Sequence, residues 1–154
     1  MISLMAVIAW AIVTALCSVF GYVDKPIVSV LLILFFPVLG STRHVVERGS
    51  FFRPQLTKVL IVCLSISAGI TVLRFGGPMN IASIGLAWLP TYQLFVYLVS
   101  LSLFERVVGR APADVAFDYG SGRVFDRSLH IFWIVALIVV PVMLRRELLG
   151  FTST

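Results

Sequence analysis

The sequence predicts an all-α integral membrane protein, a polytopic bundle of about five transmembrane helices (four is the other count) with a short cytoplasmic β-hairpin-like loop. Three observations carry that reading. Five stretches of at least 15 residues contain no Asp, Glu, Lys or Arg. Hydrophobic residues make up 60% of the 154 and charged residues 12%, where a globular domain carries about 25% charged residues. The charges that exist are gathered into short loops between the apolar runs. A hydrocarbon core ~30 Å thick takes about 20 apolar helical residues to cross, so the crossings consume most of the chain, and residues 1–154 read as one membrane domain. A mean hydropathy of +1.06 agrees.

The first helix is expected over residues 1–23, an uncharged run closed by Asp24-Lys25-Pro26. It lacks the leading Lys or Arg of a signal peptide and is longer than a signal core. Leu16 is also too bulky for the position before a lipoprotein cysteine at Cys17, so the segment reads as a retained helix. The second helix, 26–42, opens on Pro26, whose missing N–H costs nothing in a first turn, with Asp24 as its expected N-cap. A basic loop, 43–56, follows.

The third helix, 57–74, has only 15 uncharged residues between Lys58 and Arg74. At 1.5 Å per residue they fall short of the bilayer, so its cations must snorkel or the segment is partly re-entrant. Gly76-Gly77-Pro78 marks a turn. The fourth helix is expected over 81–104. After the polar loop 105–127, the fifth runs over 128–145 to Arg145-Arg146-Glu147.

Cations in short loops set orientation. The loops 43–58 and 105–127 share one side of a five-span chain and hold eight Lys/Arg, against four on the other. The N-terminus is therefore expected inside and the C-terminus outside, in a bacterial inner membrane.

The net charge of +5 sits at helix ends, where anionic lipid headgroups are its natural partners and nucleic acid is not. Cys17 and Cys63 lie in apolar runs without ligand-spaced neighbours, so no metal and no cofactor is expected. His130, in the first turn of the last helix, reads as interfacial and His44 as a loop residue. No ionisable residue stands at mid-depth, where one marks a proton or ion path.

Two places remain for function. Within the fourth helix, Pro90 removes the bond to the Leu86 carbonyl, and Thr91, Tyr92 and Gln93 fall near mid-bilayer, where unsatisfied polar groups are costly. They predict either cross-helix bonds or a polar ligand site. Ser65, Ser67, Ala68 and Gly69 make the third helix small-faced, a packing seam. In the loop 105–127, Val115, Phe117 and Tyr119 alternate with Asp114, Ala116 and Asp118, and Gly120-Ser121-Gly122 supplies a turn, which is a hairpin pattern. Phe117, Tyr119, Arg123, Phe125 and Arg127 with Asp114 and Asp118 are its candidate binding residues.

No Ser-His-Asp or Cys-His arrangement is present. The expected function is binding to other membrane proteins or to further copies of itself, as an accessory subunit or an immunity-type protein. The alternatives are an oligomeric transport component and a lipid-phosphate enzyme using the Asp/Arg loop, whose spacing matches no phosphate-binding motif.

Overall fold

The structure, a computed structural model, describes residues 2–22, 25–40, 49–74, 81–112 and 124–144. All the regular structure among them is helical: α1 (Ile2–Val19), α2 (Pro26–Gly40), α3 (Gly49–Arg74), α4 (Ile81–Val108) and α5 (Val124–Leu144). Three are long and apolar enough to cross a membrane, over Arg53–Leu73, Ser83–Val108 and Val124–Leu144. The 15 residues of α2 rise only about 22 Å at 1.5 Å each, and α1 has 18.

Helix ends follow local chemistry. Gly21 (φ 74) closes α1 and Gly109 (φ 73) closes α4 in the left-handed conformation that glycine takes without a Cβ penalty. α2 opens on Pro26, while its expected N-cap, Asp24, lies outside the described residues. α3 begins at Gly49, well before the expected 57. Arg53 and Lys58 are thus part of the helix, and the length deficit disappears: 26 residues rise about 39 Å. Cations at a helix end do not stop the backbone ladder; their long stems carry the charge outward.

The cytoplasmic β-hairpin is not supported. Residues 113–123 lie outside the described residues, and Val124, Phe125, Asp126 and Arg127, assigned to the loop by sequence, form the first turn of α5. Asp126 suits that position, since a carboxylate favours the positive end of the helix dipole. Its carboxylate is buried and takes two hydrogen bonds from Arg110, Nη1 to Oδ1 at 3.0 Å and Nη2 to Oδ2 at 2.5 Å. Those bonds raise the Arg110 pKa above its ordinary value.

α4 is the central helix. Just over half of its span (56%) is buried, against 22% for the spans of α3 and α5. Four rings tie α1, α2, α4 and α5 together. Trp10 stacks on Phe36 at 5.2 Å, Phe36 meets Tyr97 edge-on at 5.7 Å, and Tyr97 lies 5.0 Å from Trp133. Such pairs add to simple area burial. At one end Arg53 on α3 bonds Glu105 on α4 at 2.6 Å, beside the Arg110–Asp126 pair. At the other, Ser18 of α1 donates to the Ser83 carbonyl at 2.6 Å. Outward faces are apolar throughout, with Ile61, Val72, Leu103, Val107 and Ile131 all more than half exposed. Hydrocarbon rather than water is the solvent such faces suit.

Candidate functional site

The polar centre of α4 meets backbone that prolines have stripped of hydrogen bonds. Within a helix each N–H donates to the carbonyl four residues earlier, and proline has no N–H to give. Pro37, inside α2, therefore leaves the Ile33 carbonyl without its helical donor. Pro141, inside α5, does the same to Leu137. The five residues before Val140, Val135–Val139, widen into a π-turn whose bonds reach back five residues, as from the Val140 N–H to the Val135 carbonyl. In that wider register the donor owed to Ala136 is again Pro141. The widening also relieves the clash between a proline ring and the carbonyl four residues before it.

The Ile33 carbonyl and the two that share the one donor Pro141 lacks, Leu137 in the α-register and Ala136 in the wider one, all receive bonds from α4. Gln93 Nε2 donates to Ile33 at 3.0 Å and to Leu137 at 2.6 Å, and Tyr92 Oη donates to Ala136 at 2.8 Å. Both protons of one amide are thus used on two different helices. Gln93 is fully buried, so this is a staple through the middle of the bundle. Trp10 adds a fourth bond, from Nε1 to the Leu32 carbonyl at 2.9 Å, next to the stripped Ile33. Membrane helices tolerate proline when neighbours re-satisfy the freed backbone groups, and here two consecutive residues do most of it.

Thr91 faces the other way, toward α3. Its Oγ1 lies 3.0 Å from Ser67 Oγ, which is also 2.8 Å from the Ala87 carbonyl and 2.7 Å from that of Cys63. Pro90 is buried between these contacts. Trp88 Nε1 donates to Thr71 Oγ1 at 2.9 Å on the same seam. The small residues of α3 therefore divide. Ser67 is buried against α4, whereas Ser65, Ala68 and Gly69 are exposed on the outer face. A Cβ added at Gly69 would meet nothing within 4 Å.

Three buried side-chain atoms have no hydrogen-bond partner among the described residues: Gln93 Oε1, Tyr97 Oη and Arg53 Nε. The first two lie one turn apart on the same face of α4. Among the described residues no cluster of His, Cys, Asp or Glu can hold a metal ion, and Cys63 is a buried free thiol.

Of the loop residues singled out by sequence, Asp114, Phe117, Asp118, Tyr119 and Arg123 lie outside the described residues. Phe125 and Arg127 stand exposed on the first turn of α5. Sequence reasoning found Pro90 and passed over Pro37 and Pro141. Counting four residues back from every proline in an uncharged run marks Ile33 and Leu137 as carbonyls needing an outside donor. It does not say which donor. Comparison with known proteins finds no matching family model, no matching curated protein and no matching solved structure.

Proposed function

We propose that this chain is a multi-pass inner-membrane protein that acts by binding another membrane protein through the outer face of α3, as an accessory or immunity-type subunit. One observation carries the reading: glycine stands on that face where the fold gives it no reason to. Gly69 sits in mid-helix, faces outward and has nothing within 4 Å of where its Cβ would be. A mid-helix glycine costs ~1 kcal/mol against alanine. Together with Ser65 it forms a small-xxx-small pair, the pattern that lets two helix backbones approach within a bilayer. Ala68 widens the flat strip, and Ile61, Val62 and Val72 flank it as exposed apolar walls.

The orientation that fits puts the Arg53–Glu105 end in the cytoplasm, since that end carries the larger set of cations. The test is co-purification of the tagged chain from its native membrane in mild detergent. Wild type is expected to bring down a membrane protein that Gly69→Leu does not. Retention of the same partner by Gly69→Leu overturns the reading.

A second reading, an oligomeric transport component, draws on Gln93 Oε1 and Tyr97 Oη, a buried acceptor and a buried hydroxyl one turn apart. It requires solute flux in liposomes that Tyr97→Phe alters.

A further inference from the structure

A second outward feature lies on the opposite flank of α4, where it meets the N-terminal half of α5. A groove of about 400 Å³ runs along α4 from Phe95 to Val108 and along α5 from Phe125 to Phe132. Its walls are aliphatic and aromatic, and its two hydroxyls are already engaged. Ser100 Oγ accepts from Trp133 Nε1 at 2.7 Å and donates to the Tyr97 carbonyl at 3.0 Å, while Ser128 Oγ donates to the Val124 carbonyl at 3.0 Å. Phe95, Val99, Leu103 and Val107 on its outer lip are exposed, so it opens sideways, away from the bundle.

The dimensions select the occupant. Phe95 to Val108 is 13 residue steps, about 20 Å at 1.5 Å each. Spread over that length, the volume gives a mean cross-section of about 20 Å². A helix with its side chains is at least ~10 Å across, or roughly 80 Å², and would seat only part of its girth there, whereas one extended hydrocarbon chain lies within it.

Charge selects its headgroup. At the end of the groove marked by Val107 and Val108, the Arg110 guanidinium lies over the ring of Phe104, 5.9 Å from its centre, and Phe104 is a groove wall. Arg106 is exposed on the same turn of α4. Asp126 is the carboxylate facing Arg110, is itself buried, and leaves two-fifths of the Arg110 side chain exposed. Glu105 is turned to Arg53. Arg110 has both terminal nitrogens on Asp126, so Arg106 supplies the mouth's positive charge at the depth where an acyl chain joins its phosphate, and arginine binds phosphate with charge-assisted hydrogen bonds.

We infer that this groove holds one acyl chain of an anionic phospholipid, with its phosphate at Arg106. The site is separate from the α3 face and stands whether or not a protein binds there.

Vesicles containing a phospholipid with a photoreactive group on its acyl chain provide the test, using phosphatidylglycerol in one set and phosphatidylcholine in the other. Labelled peptides are mapped after illumination. The stretches 95–108 and 125–132 are expected to label several-fold more with the anionic lipid, while 61–72 on the outer face of α3 labels equally with both. Leu103→Trp, which fills an exposed part of the groove, is expected to abolish the excess at 95–108 and leave 61–72 unchanged. Arg106→Gln is expected to reduce the headgroup preference and keep the labelling. Equal labelling by the two lipids in wild type, or an excess indifferent to Leu103→Trp, overturns the proposal. So does efficient protein–protein crosslinking from a photoreactive residue at position 99, which would put a second copy or another helix in the groove.

Discussion

α3 and α4 lie side by side and use their small and polar residues in opposite directions. α4 turns Thr91, Tyr92 and Gln93 inward onto three neighbouring helices, and its span is more than twice as buried as that of α3. α3 turns Ser67 and Thr71 toward α4 and leaves Ser65, Ala68 and Gly69 on its outer face. The difference separates two uses of residues that look alike in a hydropathy plot. On α4 polar groups complete backbone that proline has broken. On α3 small groups clear space that no described residue fills. One helix holds the bundle together, and the other carries the face proposed above for a partner.

That contrast breaks in graded ways. The largest effect is expected from Gln93→Leu, which leaves the Ile33 and Leu137 carbonyls buried without donors. Cross-helix bonds in a bilayer average ~0.6 kcal/mol and reach about 1.7, so two lost bonds cost roughly 1–3 kcal/mol, read by unfolding in detergent or bicelles. Gly69→Ala acts with the opposite sign. It stabilises the isolated chain by ~0.5–1 kcal/mol, because alanine is the better helix former and meets open space. Gly69→Leu meanwhile weakens partner binding, and a loss of monomer stability in either variant would place that face inside the fold. Tyr92→Phe deletes the single bond to Ala136 and costs ~0.6 kcal/mol. Smallest is Glu105→Gln, which weakens a partly exposed ion pair worth no more than ~1 kcal/mol, by thermal shift at low and high salt.

The Arg110–Asp126 pair adds a pH test. The Arg110 pKa is raised by its bonds to Asp126, so its contribution is fully present below the ordinary arginine value and is lost only as pH climbs through the still higher folded value. The stability gap between wild type and Arg110→Ala is therefore expected to hold steady from about pH 7 to about pH 10, well below that range. A gap that closes within it would mean another group supplies the effect.

The helix centres were legible in the sequence because an uncharged run of such length has few other uses. Their ends were not. Arg53 and Lys58 looked like a boundary and are helical, since charge is tolerated wherever a long stem can reach the surface. Val124–Arg127 looked like the end of the polar loop and form the first turn of a helix, because the charges of Asp126 and Arg127 masked a helix start. Asp126 decides the matter only once Arg110 is seen beside it. In the polar centre, the need was legible and the partner was not. Pro37 and Pro141 announce two stripped carbonyls, and Gln93 announces a buried amide. Sixty residues separate Gln93 from Ile33 in the chain, and only the folded bundle brings them together.

The central claim is that Gln93 is retained because two prolines have freed the carbonyls it binds. A thermodynamic cycle tests it most directly, comparing Gln93→Leu in wild type with Gln93→Leu in the Pro37→Ala/Pro141→Ala background. Alanine restores an N–H at each position, so Ile33 regains its helical donor and α5 regains one that Leu137 takes where the helix keeps the α-register. The loss caused by Gln93→Leu is then expected to shrink by at least ~1 kcal/mol, a coupling of the size contacting groups show. An equal loss in both backgrounds, with the double proline variant still folded, would contradict the account and leave Gln93 an ordinary packed side chain.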